Sequence, residues 1–209
     1  MTTEMINTEM ASPEERYQRL WQPPVPPQVL QFVVANAAIY YTAEKALRHV
    51  EEGESELGRL EHAVEELLAK PNPTFKERLV MQGISEFRAT AGQMTPFCRQ
   101  LMDYASRAQQ FFGTKAVYTS QPSSVRIALQ TPLGEEHVFM APGANIPPDN
   151  GSWRSRSANV ASLRYLLLAE LDDTLSIGQA AVQHAEARLG AESPQSIAGL
   201  IQAINYLNK

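Results

Sequence analysis

The sequence predicts a mainly α-helical fold, a helical bundle with a small antiparallel β excursion and an extended, proline-rich N-terminal arm. Three observations lead to this prediction. Apolar residues recur at three- and four-residue steps through most of the chain, which is typical of amphipathic helices. The pattern changes to alternation after residue 113. A cluster of prolines interrupts it near the N-terminus, where it forbids a continuous helix.

Length and composition indicate one folded unit with an arm. The chain has 209 residues and a mass of 23.2 kDa, and 44% of its residues are hydrophobic, as in ordinary folded domains. We expect residues 1–27 to form the arm and residues 28–209 to form the helical core domain. The β excursion is an insertion into this core at about 114–141.

The arm begins as a polar tail and then contains a short helix. Ser12 is a candidate N-cap, with Pro13 at the first helical position. The apolar edge that follows consists of Tyr17, Leu20 and Trp21. Prolines at four of the five positions 23–27 predict an extended, stiff spacer. Such a segment is either a contact arm that docks on a neighbouring subunit or a strap over its own domain.

Three helices are predicted between the arm and the centre of the chain. They cover residues 28–50, 54–69 and 75–90. Gly53 ends the first helix, and the second carries a strongly acidic outer face. Thr74 is a candidate cap of the third helix, and Gly92 separates that helix from the next one.

The central helix is predicted at 95–112, with Thr95 as its N-cap and Pro96 in its first turn. Its apolar face consists of Phe97, Leu101, Tyr104, Ala105, Ala108, Phe111 and Phe112. Arg99 and Arg107 fall off that face. A core helix with solvated arginines is the more ordinary interpretation of this spacing, and an anion-binding face is the alternative.

After Gly113 the sequence predicts strands and then two further helices. Alternating or β-branched runs separated by turn residues predict a hairpin or a three-stranded excursion. These runs lie at 116–119, 125–130 and 137–140. Residues 142–157 are irregular, and the longest helix is predicted at 158–189. Ser193-Pro194 opens a last helix through Leu207.

The net charge of −5 argues against generic nucleic-acid binding, but the charges are unevenly distributed. Residues 1–70 hold 12 acidic and 6 basic side chains, which leaves −6, whereas residues 71–164 hold 6 acidic and 10 basic ones, which leaves +4. An acidic chain with a basic centre can present a local anion-binding surface. The same imbalance also arises by chance in proteins without such a surface.

Motifs that carry catalysis or bind cofactors are absent from the sequence. A glycine-rich phosphate loop and a G-x-S-x-G elbow are missing, and the four histidines lack metal-ligand spacing. Asp172 and Asp173 are neighbours that point in different directions on a helix. Cys98 is more simply a buried apolar residue than a nucleophile. We therefore expect no enzyme and no metal, cofactor or small-molecule site.

The sequence also argues against a membrane or secreted protein. No apolar run approaches the ~20 residues that a membrane span needs. The first ten residues are polar and lack the apolar core of a secretion signal. A single cysteine excludes an internal disulfide. We expect a reducing, intracellular setting without membrane contact.

Short motifs around the central helix resemble one protein family. Thr-Pro-Phe-Cys-Arg occurs at 95–99, Asn-Ile-Pro-Pro-Asp-Asn-Gly-Ser-Trp at 145–153, and Arg-Tyr at 164–165. In this order they are similar to the helix start, proline-asparagine-tryptophan loop and basic-aromatic pair of flexuous filamentous plant-virus coat proteins of the potexvirus and carlavirus type. Arg-Gln-Leu-Met at 99–102, followed by Ser106, is similar to the matching helix start of potyvirus coat proteins.

The resemblance implies a structural, RNA-coating capsid protein that polymerises into a helical filament. Its partners would be single-stranded RNA and further copies of itself, in the virion or the host cytoplasm. Candidate RNA-binding residues are Arg99, Arg107, Arg154, Arg156, Arg164 and Ser106. Candidate base-stacking residues are Trp153 and Tyr165, although for Trp153 a role as an anchor of its loop in the core is slightly favoured over stacking. The subunit-contact arm would use Tyr17, Leu20 and Trp21.

A second hypothesis belongs to a different functional class. The acidic face at 44–66 also suits a helical-bundle adaptor or chaperone of a bacterial or eukaryotic cytoplasm that holds a protein partner. Its candidate contact residues are Glu51, Glu52, Glu54 and Glu56. This hypothesis predicts a small oligomer that is indifferent to RNA.

Overall fold

The computed structural model describes residues 12–121, 124–142, 164–165, 167–169, 174, 177–181, 183–185 and 187–188. Its helices are α1 (Pro13–Leu20), α2 (Pro27–Arg59), α3 (Glu61–Leu68) and α4 (Phe75–Phe112). Its strands are β1 (Lys115–Gln121), β2 (Ser124–Gln130) and β3 (Glu136–Pro142). The described residues between 164 and 188 are all helical, and we name them the C-terminal helical residues. The predicted mainly α fold with a small β excursion is confirmed.

Both predicted N-caps, Ser12 and Thr74, form capping boxes. In α1 the Ser12 hydroxyl accepts the backbone N–H of Glu15 at 3.3 Å, and the Glu15 carboxylate accepts the backbone N–H of Ser12 at 3.0 Å. Thr74 and Glu77 repeat this reciprocal arrangement at the start of α4. Each box satisfies backbone donors that the first helical turn leaves unpaired, so the cap residues locate these helix starts.

Hydrogen bonds from Lys70 and from the capping box of α4 lower the pKa of Glu77. The Lys70 ammonium donates to its carboxylate at 2.6 Å, and the backbone N–H and hydroxyl of Thr74 add two further hydrogen bonds. These donors favour the ionised carboxylate and lower its pKa from 4.5 to about 2. Because the folded-state pKa is depressed, this contribution to stability is present above pH 4.5 and is lost as the pH falls towards 2.

Replacing Glu77 with glutamine is therefore expected to flatten the pH dependence of unfolding between about pH 4.5 and pH 2. Chemical denaturation at a series of pH values measures this slope. Lys70→Met is the companion variant, because it removes the largest cause of the shift and should raise the Glu77 pKa in an NMR titration. A native Glu77 that titrates near 4.5 would contradict the prediction.

The centre of the fold is the antiparallel pair α2 and α4. Phe32, near the start of α2, meets Phe112 at the end of α4 with ring centroids 6.0 Å apart. At the other end of the pair, Gly53 of α2 lies against Phe87 of α4. The prediction that Gly53 ends a helix is wrong, because α2 continues to Arg59. A Cβ at Gly53 would lie 2.3 Å from the Phe87 ring, so this glycine permits close helix packing.

The predicted break before the central helix is also wrong. Helix α4 runs without interruption through Gly92 and Pro96, and Thr95 is an interior residue whose hydroxyl donates to the Ala91 carbonyl at 3.0 Å. An interior proline costs about 3 kcal/mol. Apolar side chains are buried both before and after Pro96, and their burial offsets this cost, because one continuous apolar face of α4 extends past the proline. That face includes Ile84, Phe87, Ala91, Met94, Cys98, Leu101 and Ala105.

The three strands form an antiparallel sheet in the order β1-β2-β3, which confirms the predicted excursion in its three-stranded form. Successive side chains of β2 point to opposite faces of the sheet. Val125 and Ile127 are buried against α2, and Arg126 between them is exposed. Tyr118 of β1 packs on the Tyr41 ring of α2 with centroids 5.1 Å apart. Burial, with smaller effects of Tyr40 and Glu44, raises the pKa of Tyr118 to about 12.

The segment predicted as an arm packs on its own chain in this structure. Leu20 and Trp21 are buried with Phe32 and Phe112 in the core cluster at this end of the α2–α4 pair. The Trp21 Nε1–H donates to the Phe112 carbonyl at 2.7 Å, and the Tyr17 hydroxyl donates to the Gln110 carbonyl at 2.9 Å. The Trp21 bond satisfies a carbonyl at the end of α4, and the Tyr17 hydroxyl is a second donor to the Gln110 carbonyl, which also accepts the backbone N–H of Gly113 at 3.1 Å. Helix α1 and Trp21 therefore lie over their own domain, and we name them the strap.

Helix α4 ends where the strap crosses it. Gly113 adopts φ = 64°, a left-handed conformation that glycine accepts at a helix C-cap. A Cβ there would lie 2.6 Å from the Tyr17 ring, so the absence of a side chain also makes room for the strap. On its other side, the strap accepts a contact from His184, whose Nε2 lies 3.0 Å from the Leu20 carbonyl. The strap therefore lies between α4 and the C-terminal helical residues.

Candidate nucleic-acid interface

Arg164 lies against the first half of α4. Its Nη1 donates to the Oε1 of Gln93 at 3.5 Å, although 71 positions separate the two residues. Leu167, in the next turn, is completely buried in the core cluster between α2 and α4. That burial positions this turn of helix against α4, and the Arg164 guanidinium is left exposed at the surface.

The two helical segments enclose a surface groove of about 350 Å³. We name it the Arg164 groove, and it is lined by Gln93, Met94, Phe97, Arg164 and Leu168. Gln93 and Phe97 are four residues apart and therefore face the same way along α4. The groove combines a guanidinium, a side-chain amide and apolar walls. Tyr165, next to Arg164, exposes 76% of its surface.

The other predicted contact residues of α4 do not line the Arg164 groove. Arg99 and Ser106 are exposed, and at about 100° per residue they lie roughly 140–160° around the helix from the groove. Arg107 is closer, at roughly 60°, and it forms an ion pair with Asp103 one turn earlier. The candidate residues of α4 are therefore divided between two sides of the helix.

Three of the predicted contact residues are not among the described residues. Arg154, Arg156 and Trp153 lie outside the described residues, as does the whole predicted loop motif at 145–153. The Asp172-Asp173 pair and the predicted last helix through Leu207 also lie outside them. The candidate site can thus be built only from α4 and the C-terminal helical residues.

The lone cysteine belongs to the core under this surface. Cys98 is completely buried among apolar side chains of α2 and α4, and burial raises the pKa of its thiol to about 11. The thiol is therefore protonated at neutral pH, as expected of an apolar core residue. Among the described residues, no cluster of three metal-ligating side chains occurs and no helix is long and apolar enough to span a membrane.

A second groove, of about 390 Å³, lies along the C-terminal turns of α2. It is lined by Glu51, Glu52, Ser55, Glu56 and Arg59. These residues are on the last turns of α2, which the sequence identified as acidic. Leu60 follows directly and is half-exposed. The groove therefore presents a carboxylate-rich surface with an exposed apolar side chain beside it.

Sequence reasoning missed Gln93, Met94 and Leu168 as parts of the Arg164 groove. The sequence predicts a break between two helices at Gln93, because Gly92 and Pro96 lie on either side of this residue. The four-residue step from Gln93 to Phe97 was the available signal, and it has meaning only if the helix is continuous. Nothing local connects these residues with Arg164, since that contact depends on how the chain folds back.

Comparison of the chain with family models, curated proteins and solved structures found no match. The functional assignment of the Arg164 groove therefore rests on its geometry and chemistry.

Proposed function

We propose that this chain is a structural RNA-coating subunit that polymerises and binds single-stranded RNA through a few arginines. One observation carries the proposal. Phe97 of the motif at 95–99 and Arg164 of the Arg164-Tyr165 pair both line the Arg164 groove. The role is structural, and no catalytic step is assigned to it.

The groove chemistry suits a nucleotide. A guanidinium binds phosphate oxygens with charge-assisted hydrogen bonds, and the Gln93 amide both donates and accepts, as base edges require. The exposed Tyr165 ring offers a stacking surface that tolerates any base. Arg107 lies roughly 60° around α4 from the groove, where its guanidinium is paired with Asp103. This combination of cation, amide and ring supports RNA over a purely anionic ligand.

The acidic overall charge is compatible with this function if binding is cooperative. A net charge of −5 weakens the binding of one subunit to RNA through electrostatic repulsion. In a filament, contacts between neighbouring subunits add to each weak RNA contact. We therefore expect little RNA binding by isolated subunits and protection of RNA only within assemblies.

Negative-stain electron microscopy with and without single-stranded RNA, over a salt series, tests the proposal. Filaments or stacked rings that protect RNA from nuclease are the expected result at low salt. Compact particles that retain no RNA under the same conditions would exclude a coat-protein function.

Arg164→Ala is expected to weaken RNA binding by at least about tenfold, since a hydrogen bond to a charged group contributes roughly 1.5 kcal/mol or more. The slope of log affinity against log salt should fall by about 0.7, the value for one phosphate contact on a single strand. Fluorescence anisotropy with a labelled oligonucleotide measures both. Arg59→Ala is the matched control, because Arg59 is an exposed arginine at the C-terminal end of α2 and does not line the Arg164 groove. Equal losses in the two variants would contradict a specific role of Arg164.

The acidic groove supports a second candidate function, an adaptor that holds a basic protein partner. Glu51 and Glu52 are exposed on its rim, and Glu56 is half-buried within it. This function predicts a small oligomer by light scattering, with no response to RNA. Replacing Glu51, Glu52, Glu54 and Glu56 with glutamine should abolish partner binding without unfolding the chain. Unchanged RNA-dependent filaments in that variant would favour the coat-protein function.

A further inference from the structure

The small sheet has two edges. Within the part of the chain that the structure describes, β1 and β3 each pair with β2 alone, so each has one side without a strand partner. Each edge strand is seven residues long. An edge strand of this length presents a row of backbone donors and acceptors to a further strand.

The outer face of the sheet is organised in rows that cross all three strands. The pairing registers place Lys115, Gln130 and Glu136 in one row and Val117, Ala128 and Val138 in the next. Thr119, Arg126 and Met140 form the third row. On the edge strands, Val117 is 49% exposed, Val138 48% and Met140 60%. Both edges thus carry exposed apolar side chains in the middle and one charge at the same end, positive on β1 and negative on β3, where the Glu136 carboxylate also lies 3.7 Å from Arg126 of β2.

We propose that β3 of one copy pairs in parallel with β1 of the next, row against row, and that this strand pairing joins subunits in the assembly. The inference rests on the proposed function, because it identifies the contact through which the subunit polymerises. Row-against-row pairing places Glu136 beside Lys115 of the next copy, and Val138 beside Val117 of the next copy. Opposite charges and apolar side chains next to each other both stabilise neighbouring strands.

Charges near an edge usually prevent such pairing. Here they select one arrangement instead. A symmetric β3–β3 dimer would be antiparallel, and pairing on the same face would set Glu136 against Val138, Met140 or Pro142. A symmetric β1–β1 dimer would likewise leave Lys115 without an acidic neighbour. Only the β3–β1 combination brings the two charges together, so the contact is heterologous, and it generates an open filament when the rotation between copies does not close a ring.

The twist of the sheet makes this contact compatible with the helical layer beneath it. Adjacent strands rotate by about −20 to −25°, so three strands rotate each copy by roughly 60–75° relative to the previous one. The α2–α4 pairs of successive copies would then wind around a continuous sheet. The result is a helical assembly, as the proposed function requires.

Disulfide trapping with Val117→Cys and Val138→Cys tests the pairing. Within one copy these positions are two strand spacings apart, about 9.6 Å, which exceeds the roughly 7 Å that a disulfide can bridge. Across the proposed contact they are direct neighbours. The double variant should therefore give a ladder of covalent multimers on mild oxidation, and a mixture of the two single variants should give dimers only. The native chain is the background control, because Cys98 is completely buried.

A second pair of variants tests the contact without new cysteines. Val138→Lys should abolish assembly by placing a charge at the centre of the edge, whereas Leu133→Lys replaces a similarly exposed residue in the turn before β3 and should assemble normally. Dimers from Val138→Cys alone would overturn the proposal in favour of a symmetric contact. Native filaments without any ladder would overturn it and leave the RNA-coating function intact. A ladder without filaments or protected RNA would support the pairing and exclude that function.

Discussion

Replacing Trp21 with alanine is expected to lower the free energy of unfolding by about 3–5 kcal/mol, the cost of removing a large buried aromatic side chain. Trp21 is 1% exposed and packs in the core cluster that joins α1, α2 and the end of α4. The change also leaves the Phe112 carbonyl without its indole donor. Urea denaturation followed by circular dichroism measures the loss.

Two further variants separate the sources of this effect. Trp21→Phe keeps most of the apolar contact and removes the hydrogen bond, so we expect a smaller loss of about 1–3 kcal/mol. Gln18→Ala changes an exposed residue of the same helix and should leave stability within about 0.5 kcal/mol of the native value. If the strap no longer docks in the Trp21→Ala variant, trypsin should also cleave after Arg19 faster than in the native protein. A Trp21→Ala protein as stable as Gln18→Ala would show that the strap does not dock on its own domain.

Gly53→Ala is expected to destabilise the chain by about 1–3 kcal/mol, which is the usual cost of overpacking a core. The new Cβ would lie 2.3 Å from the Phe87 ring, and Phe87 is completely buried, so the ring has little room to move. This cost exceeds the gain of up to about 1 kcal/mol that alanine brings over glycine inside a helix. Thermal and urea unfolding should both show a less stable protein.

Gly58→Ala provides a matched control on the same helix. No other described residue comes within 4 Å of the position that its Cβ would occupy, so the helix-propensity gain should appear there as a stabilisation of up to about 1 kcal/mol. Combining Gly53→Ala with Phe87→Leu should recover part of the lost stability, because the smaller side chain relieves the overlap. Equal effects of alanine at both glycines would contradict the close approach of α2 and α4.

Some residues of the candidate site could be predicted from the sequence, but their arrangement in one groove could not. Arg164 and Tyr165 were identified from a short motif, and Phe97 was placed on the apolar face of the central helix. Their common groove required the C-terminal helical residues to pack on α4, and the sequence carries no local sign of that contact. The same packing separates Arg99 and Ser106 from Arg164.

Local chemistry by itself determined much of the fold. The three- and four-residue spacing of apolar residues predicted the mainly α-helical fold class, because a helix buries one apolar stripe of its surface. Ser12 and Thr74 located two helix starts, since their hydroxyls satisfy free backbone donors. Alternation and the turn around Gly134, with φ = 80°, located the hairpin between β2 and β3.

Only the tertiary structure decided where helices continue and what the arm contacts. Gly53 and Gly92 favour a helix end when local propensity acts alone, at a cost of about 1 kcal/mol each. Burial of a continuous apolar face along α2 and α4 stabilises the folded chain by more than these local costs, so both helices run through. Trp21 likewise packs on its own domain, because Phe112 of the same chain provides both an apolar contact and a backbone carbonyl that accepts the indole N–H. Short-range propensities are small energies, and long-range burial overrides them wherever the two disagree.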